Sequence, residues 1–399
     1  MNSLISLLGL LVILIIALLL SSNRKKLNLR LILSGLGLQF LFGVIILRTG
    51  PGQAFFEYAR YLVAKIMSFS DEGAKFLFGE GFQEHFVAFS VLSTIIFISS
   101  LTAVLFHLGV IQVVVKIMAR SMVWIMDVSG AESLAASANV FMGHTESPLL
   151  IKPYLNTMTR SELMAMMSGG MATVSGGMMA AYAGMGADAG HLLAASIMSA
   201  PASLVLAKII TPETEVSPTK GHVKIEVDKQ DANLLDAACR GASDGLKLAL
   251  NVGAMLIAFI ALVTMANWMM GALPHFGGEA LTLQRVLGWI CAPLAWLMGV
   301  PWEEAPAIGS LLGEKTILNE FYAYKNLTAM KETISPRSFN IATYALCGFA
   351  NFGSIAIQIG GIGVLAPKRR ADFARLGLLS MVSGTLAAYM TACIASLLM

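Results

Sequence analysis

The chain has 399 residues, of which 56% are hydrophobic and 13% are charged, and its mean hydropathy is +0.74. This small number of charged residues could not cover the surface of a soluble domain. The composition therefore excludes a water-soluble protein and predicts one that lies in a bilayer. The formal net charge of +3 is explained by basic loops at the membrane surface, and we expect no nucleic-acid partner.

Eight apolar stretches are long enough to cross a bilayer, which takes about 20 helical residues. In chain order they are 4–21, 31–48, 86–110, 163–187, 189–210, 243–272, 339–365 and 372–398. The first is interpreted as a retained helix, because it lacks a basic leader and a small-residue cleavage site. The sequence therefore predicts an all-α polytopic membrane protein with about eight transmembrane helices, surrounded by membrane lipid.

The basic residues predict the orientation, since short loops rich in Lys and Arg stay on the cytoplasmic side. Four of them follow the first stretch: Arg24, Lys25, Lys26 and Arg30. With this loop inside, strict alternation also places 208–240 and 368–370 in the cytoplasm. Both termini are then expected outside, as an even number of spans requires.

Two polar segments lie between the apolar stretches. Residues 211–234 carry charges of both signs and two prolines, which is typical of a cytoplasmic linker between two halves. Residues 50–80 mix charged residues with Phe and Leu, which favours a helix lying in the interface plane. A plain extracellular loop is the alternative for this second segment.

Two further apolar segments are interrupted half-way and do not fit a span. The first covers 133–154 and is broken at 143–148, and the second covers 281–324 and is broken at 299–306. Backbone that is not helical is tolerated at membrane depth only where protein or a water-filled cavity satisfies its polar groups. We therefore predict two re-entrant hairpins that enter from opposite sides.

A duplicated motif accompanies these segments. The sequence GMATVSG at 170–176 is similar to GFANFGS at 348–354, which begins 178 positions later. Each copy follows an Arg-Ser pair and, further upstream, a carboxylate among apolar residues, Glu146 or Glu320. Two related halves with glycine-interrupted helices are typical of secondary transporters, whose binding site lies at these interruptions.

Polar residues near the breaks are candidates for binding a sugar. An ionised carboxylate in the membrane costs about 2.5–3.5 kcal/mol even on the lenient scale, so Glu146 and Glu320 are expected to have a use, although pairing with a basic residue is the alternative. Asn351 and Ser354 are three residues apart and share a helix face. With Glu320 they could donate to and accept from sugar hydroxyls, and Phe349 offers a flat apolar surface unless it only packs.

Other polar residues suit a cation. Asn139, Thr145 and Thr173 carry side-chain oxygens near helix breaks, where freed backbone carbonyls can also bind Na⁺. Hydrogen bonding between neighbouring helices is the alternative use of such residues. His144 is open to three interpretations, as a ligand donor, a proton relay or a satisfied polar group.

The sequence offers little for catalysis. It contains no HExxH motif, no CxxC pair and no recognisable nucleophile–base pair, so we expect no enzymatic step and no organic cofactor. A passive channel is also disfavoured, because a channel has pore-lining rings and needs no inverted hairpins.

Three segments resemble the signature set of the concentrative nucleoside transporters, and the likeness extends over nearly the whole chain. They are GHTESP at 143–148, NEFYAY at 319–324 and GFANFGS at 348–354. The resemblance implies cation-coupled nucleoside uptake across the bacterial inner membrane. It also implies an elevator-type homotrimer, whose protomers have eight transmembrane helices, two opposed re-entrant hairpins in inverted repeats and interfacial helices.

The resemblance also assigns roles to single residues. The nucleobase would be faced by His144, Thr145, Glu146 and Met178, and the ribose would be held by Glu320, Asn351 and Ser354, with Phe349 packed nearby. The sodium ion would be bound by the side chains of Asn139, Thr145 and Thr173 and by the carbonyls of Met142 and Val174.

Three positions depart from the usual family pattern, which has Gln for His144, Ala for Ser147 and commonly Ser for Thr173. An imidazole offers one donor and one acceptor in a geometry unlike that of an amide, so the base preference stays open. The oxygens of Asn139 and Thr145 are kept, which favours Na⁺ as the coupling ion. Proton coupling is the alternative because of His144.

The resemblance finally divides the chain into a scaffold and a moving transport unit. Residues 1–110 are predicted to hold the N-terminal helices and the interfacial helix, on the scaffold side. Residues 111–210 are predicted to form the first repeat, with its hairpin at about 130–157, and 211–234 the linker. Residues 235–275 are predicted to form a long scaffold helix, and 276–399 the second repeat, with its hairpin at about 281–324 and the last helix.

Overall fold

The computed structural model describes residues 2–85, 87–221, 231–272 and 280–399. These residues form sixteen α-helices and no β-strand. The helices of the first half are α1 (Asn2–Leu19), α2 (Leu29–Arg48), α3 (Gly50–Phe78), α4 (Leu92–His107), α5 (Val110–Met126), α6 (Gly130–Ala138), α7 (Arg160–Ala172), α8 (Gly176–Gly184) and α9 (Ala189–Ile210). Those of the second half are α10 (Leu234–Met270), α11 (Leu283–Leu297), α12 (Ala305–Ile317), α13 (Glu320–Ala329), α14 (Pro336–Leu346), α15 (Phe352–Leu365) and α16 (Arg370–Leu398).

Five helices are long and apolar enough to cross a membrane, as judged over the described residues. They contain or overlap the predicted spans 31–48, 86–110, 189–210, 243–272 and 372–398. The predicted span 4–21 corresponds to α1, which is apolar but shorter. The remaining two, 163–187 and 339–365, are each divided into two helices.

These two divided spans contain the duplicated motif. α7 and α8 are separated by Thr173–Ser175, and α14 and α15 are separated by residues 347–351. The two breaks touch each other, since the Phe349 amide donates to the Thr173 carbonyl at 3.2 Å. Gly348 makes this approach possible, because its φ is +143° and a Cβ there would lie 2.7 Å from the Met171 carbonyl oxygen.

Side-chain caps explain why the second half-helices begin where they do. Ser175 accepts a hydrogen bond from the Met178 amide at the start of α8. Asn351 accepts one from the Ser354 amide at the start of α15. Both residue types are strong N-caps, since their oxygens satisfy amides that have no partner in the helix.

The first predicted hairpin corresponds to α6 and a 3₁₀ segment, Ser147–Tyr154, joined by the turn 139–146. The second predicted hairpin is more complex than the sequence indicated. Its expected break at 299–306 separates α11 from α12, but a further break at 318–319 separates α12 from α13. Glu320 therefore begins a helix of its own, with Asn319 as its N-cap. Re-entry of these segments into the membrane stays a prediction.

Residues 50–78 form one helix, α3, so a plain loop is wrong for this segment. α5 was not predicted as a separate element, since Lys116 and Arg120 interrupt its apolar residues. The linker lies outside the described residues at 222–230, but the preceding part folds back on α6, where the Gly130 amide donates to the Thr219 carbonyl at 2.9 Å.

The N-terminal helices differ in their main long-range packing partners. α4 packs mainly against α10, whereas α1 and α2 pack against α16 and α9. The domain limits expected from the sequence stay predictions. α7, α9 and α16 each supply more fully buried residues than any other helix, so the core lies around the two breaks.

Candidate functional site

All eight residues that were predicted to contact a substrate line one cavity of about 160 Å³. We call it the central cavity; its walls come from the first hairpin turn, α8, α10, the start of α13 and the break before α15. The eight residues are His144, Thr145, Glu146, Met178, Glu320, Phe349, Asn351 and Ser354. The structure thus brings together residues up to 210 positions apart in the sequence.

Glu320 is the most firmly held polar group of the cavity. It is buried, with 4% of its surface exposed. Its Oε1 accepts a hydrogen bond from the Tyr182 hydroxyl at 3.0 Å, and its Oε2 accepts one from Asn351 Nδ2 at 2.9 Å. A carboxylate has about four lone-pair positions, so both oxygens can accept further hydrogen bonds from a ligand.

Asn351 uses both ends of its amide. Its Oδ1 accepts from the Ser354 amide at 2.8 Å while its Nδ2 donates to Glu320. The orientation of the amide is therefore fixed. Reversing it would place Oδ1 against the Glu320 carboxylate, where two acceptors meet, and Nδ2 against the Ser354 amide, where two donors meet. Glu320, Asn351 and Ser354, which were predicted to contact the ribose, therefore form one hydrogen-bonded group.

His144 faces Phe349 across the cavity wall, with the two rings 4.8 Å apart edge to face. The imidazole is buried, and its Nδ1 has no hydrogen-bond partner in the described part of the chain. Gly170 leaves room for it, since a Cβ there would lie 2.6 Å from His144 Cβ. An unpaired buried nitrogen is costly, so His144 is suited to hydrogen-bond a ligand.

Glu146 lies where the central cavity meets a second cavity of about 110 Å³. Its Oε2 accepts from the Gly143 amide at 3.1 Å, which closes the hairpin turn. The second cavity is also lined by Arg240 and Asp244 on α10. Arg240 donates to Asp231 at 2.6 and 2.9 Å, and this pairing lowers the pKa of the Asp231 carboxyl.

Several residues that line the cavity or bind its lining residues were not predicted from the sequence. Tyr182 binds Glu320 and stacks on Tyr324, with ring centroids 4.3 Å apart. Asn251 and Met255 enter from α10. Asn251 could have been noticed as an amide inside an apolar span, but Tyr182 carries no such signal, because a tyrosine among small apolar residues usually only packs.

The residues predicted to bind sodium lie where the hairpin turn meets the break after α7. The Gly176 amide donates to the Phe141 carbonyl at 3.1 Å, which joins the two segments. Thr173 Oγ1 donates to the Gly169 carbonyl at 2.9 Å, and Asn139 Nδ2 lies 2.9 Å from where a Gly169 Cβ would be. Asn139 and Thr173 therefore approach each other at Gly169.

The oxygens of the predicted sodium ligands are all neutral. Asn139 Oδ1 accepts from Ser147 Oγ at 2.6 Å, and Asn139 Nδ2 has no partner among the described residues. Thr145 lines the central cavity, and its methyl group lies against Gly361 of α15. Met142 and Val174, whose carbonyls complete the predicted set, are buried. Neutral oxygens around a helix break suit a monovalent cation that travels with the substrate.

Three family models match successive parts of the chain. The model described as "Na+ dependent nucleoside transporter N-terminus" matches residues 8–81, "Nucleoside recognition" matches 88–189, and "Na+ dependent nucleoside transporter C-terminus" matches 191–396. The chain belongs to the concentrative nucleoside transporter family. The resemblance of its three signature segments is thereby confirmed.

Relatives of known sequence agree with this assignment. The "Uncharacterized transporter YutK" of Bacillus subtilis (strain 168) is 44% identical over 403 residues, which cover 100% of both chains. "Sodium/nucleoside cotransporter 1" of Rattus norvegicus is 38% identical and "Solute carrier family 28 member 3" of Homo sapiens is 40% identical, each over 100% of this chain. This chain spans only 64% and 60% of those two mammalian proteins.

Solved structures of the protein CNTnw are similar over the full length. The inward-facing substrate-bound state has a TM-score of 0.93 and 42% identity, covering 100% of this chain and 98% of the other. A double variant in an outward-facing state has a TM-score of 0.95 and 41% identity, covering 100% and 99%. Variants in intermediate states also match.

These likenesses establish the class of the protein. The family consists of nucleoside transporters and not of enzymes, as the sequence predicted. With its apolar helices, this chain is an integral protein of a bacterial membrane. The inward-facing and outward-facing states of CNTnw indicate a fold that alternates its access between the two sides.

Proposed function

We propose that this protein takes up nucleosides across the inner membrane by symport with Na⁺. The observation that carries the proposal is the geometry of Glu320, whose two oxygens are held by Tyr182 and Asn351 at the edge of the central cavity. A charge kept so deep in an apolar protein needs a partner. Two neighbouring hydroxyl groups of a ribose would supply two donors, one for each oxygen of the Glu320 carboxylate.

In this proposal the second repeat binds the ribose. Glu320 accepts hydrogen bonds from the sugar hydroxyls, and Asn351 keeps the carboxylate in place. The Ser354 hydroxyl is available as a further donor or acceptor in the same cavity. A nucleoside whose hydroxyls are missing would leave the carboxylate unsatisfied, and site residues left unpaired discriminate strongly against such analogues.

The first repeat would face the nucleobase. His144 has a free ring nitrogen, Glu146 has an oxygen that lines the cavity, and Met178 supplies an adaptable apolar surface. Phe349 lies against the His144 ring and would pack near the base. Bases differ in their pattern of donors and acceptors, so this wall would determine base preference.

Sodium would be the co-transported ion, bound by Asn139, Thr145, Thr173 and the carbonyls of Met142 and Val174. Thr145 belongs to the proposed ion site and to the wall of the central cavity. An ion that orders the hairpin turn would therefore raise nucleoside affinity, and the nucleoside would raise ion affinity by the same factor. The name of the rat relative, a sodium/nucleoside cotransporter, supports this choice.

Proton-coupled uptake is the second candidate, and the position of His144 beside Glu146 in the wall of the central cavity favours it. A histidine is the side chain that most readily exchanges a proton near neutral pH. In this case Na⁺ would be dispensable, and replacing His144 by Gln would abolish the effect of a proton gradient. A sodium site with intact Asn139 and Thr173 oxygens makes this the weaker candidate.

An elevator movement and a homotrimer complete the proposal. α4 packs mainly on α10 and also contacts α8, and α4 and α10 would form the fixed scaffold against which the body that holds both breaks moves. α10 exposes apolar side chains, among them Ile257 at 76% and Trp268 at 80%, which would face lipid or neighbouring protomers. The basic loop after α1 would lie in the cytoplasm, with both termini in the periplasm.

Uptake into proteoliposomes tests the proposed function. Radiolabelled uridine and adenosine are offered under an inward Na⁺ gradient or an inward proton gradient, at a fixed membrane potential. Accumulation driven by Na⁺ alone supports the symport, and the uridine-to-adenosine ratio reports the base preference. Accumulation driven only by protons contradicts Na⁺ coupling, and no accumulation of any nucleoside contradicts the proposal as a whole.

A further inference from the structure

The two repeats present the same order of elements, and each contains a helix that stops at a break. In the first repeat α6, the 3₁₀ segment, α7 and α8 follow one another, and in the second α12, α13, α14 and α15 do. α7 packs on α6, as α14 packs on α12. The last turn of α14 is therefore the counterpart of the last turn of α7.

A lysine ammonium lies at the end of α14. The last four carbonyls of a helix have no donor within the helix. Here Lys315 Nζ donates to the Ala345 carbonyl at 3.0 Å, and the Tyr324 hydroxyl donates to the Thr343 carbonyl at 2.6 Å. The C-terminal end of a helix carries a partial negative charge, which a cation stabilises.

Lys315 is fully buried, with 0% of its surface exposed. No carboxylate of the described residues lies within the 4.0 Å of an ion pair, although Glu320 is close enough to interact electrostatically. The side chain does not line the central cavity. A buried charge is costly, and the α14 carbonyl end with the nearby Glu320 carboxylate provides what offsets that cost.

Among the residues that the structure describes, no such cation lies at the end of α7. The Gly169 carbonyl accepts from Thr173 Oγ1, and within the described ranges no lysine or arginine side chain donates to residues 169–172. Asn139 Nδ2 lies against Gly169 without a partner in that part of the chain. This end is also where the proposed sodium ligands meet.

We propose that Lys315 is the resident cation of the second repeat. Its ammonium takes the position that corresponds to the sodium position of the first repeat, so only the first repeat takes up an exchangeable ion. The proposal rests on the Na⁺ symport proposed above and deepens it, since it assigns one Na⁺ to each nucleoside. Lys315 acts through the Ala345 carbonyl on the break that carries Phe349 and Asn351, and is therefore a positioning residue.

Binding of uridine to the purified protein tests this inference without any gradient. Wild type, Lys315→Gln and the control Lys325→Gln, whose side chain is exposed on α13, are titrated by calorimetry over a series of Na⁺ concentrations, with choline replacing Na⁺. Lys315→Gln is expected to raise the uridine Kd at least tenfold at low Na⁺. High Na⁺ is expected to restore binding, with the Hill coefficient for Na⁺ rising from about one towards two, because the vacated position then accepts an ion.

The opposite results are equally clear. A uridine Kd and a Na⁺ Hill coefficient unchanged in Lys315→Gln would overturn the inference. If Lys315→Gln does not elute as a single species like wild type, Lys315→Arg, which keeps the charge, should be recovered while Lys315→Met is not. Equal behaviour of those two variants overturns it as well. Uridine binding by wild type without any Na⁺ would instead contradict the coupling ion, leaving Lys315 to be judged by the Kd shift.

Discussion

The Tyr182 hydroxyl donates a hydrogen bond of 3.0 Å to Glu320 Oε1, and the two residues are 138 positions apart. Tyr182 belongs to α8 of the first repeat and Glu320 begins α13 of the second. The tyrosine ring is stacked on Tyr324, whose hydroxyl donates to the Thr343 carbonyl. The carboxylate proposed to bind the ribose is therefore held from both repeats, so a movement of one repeat relative to the other changes the binding site.

Removing the hydroxyl of Tyr182 should weaken nucleoside binding without disturbing the fold. A hydrogen bond to a charged group contributes about 1.5–3 kcal/mol, so Tyr182→Phe should raise the uridine Kd about tenfold or more. The matched control is Tyr61→Phe, whose side chain is exposed on α3. Calorimetric titration with uridine measures both, and an unchanged Kd for Tyr182→Phe would remove this residue from the binding site.

Replacing Glu320 by Gln should have a larger effect, because it removes the charge and turns one acceptor into a donor. The new amide nitrogen would face either the Tyr182 hydroxyl or Asn351 Nδ2, which both donate in the wild type. We expect a loss of uptake of at least about 100-fold, since an unpaired buried donor and the lost ribose contacts add up. Uptake by proteoliposomes measures this, with size-exclusion profiles as the check on folding, and wild-type uptake would contradict the ribose role.

The central cavity could be largely predicted because its residues are polar in an apolar chain. Glu146, Glu320 and Asn351 are expensive in a membrane, and glycines mark the breaks at which they lie. The caps of α8 and α15 fall within the same segments. Composition and motif therefore indicated these three residues, whereas Met178 was assigned only by the family resemblance.

Other parts depend on packing that a single sequence does not contain. The break at 318–319 has neither Gly nor Pro, so the separate helix α13 could not be distinguished from a longer hairpin arm. Asn251 lines the cavity because α10 packs beside it, and Tyr182 reaches Glu320 from α8 only through the tertiary fold. The buried ammonium of Lys315 has no visible signal either, since lysines at helix ends are usually exposed.

The proposed ion site predicts a specific defect in Asn139→Ala. This change removes one oxygen near the break and leaves the Ser147 hydroxyl without its acceptor at 2.6 Å. The Na⁺ concentration for half-maximal uridine uptake should rise by about tenfold, corresponding to the loss of one good ligand interaction. Asn156→Ala, on an exposed turn, is the control. A sodium response equal to wild type would exclude Asn139 as a ligand.

Two glycines near the second break allow a matched test of how closely the breaks must approach. Gly348 has a φ of +143° and no room for a Cβ, whereas Gly360 lies in α15 with nothing within 4 Å of its Cβ position. Gly348→Ala should destabilise the protein by more than about 1 kcal/mol, because both the backbone strain and the contact with the Met171 carbonyl oppose it. Gly360→Ala should be neutral or stabilise α15 by up to about 1 kcal/mol.

Melting temperatures in detergent compare the two variants. Uridine affinity should fall only in Gly348→Ala, since the contact between the two breaks positions Phe349. Equal melting temperatures and affinities for both variants would show that the contact between the breaks is not needed for binding.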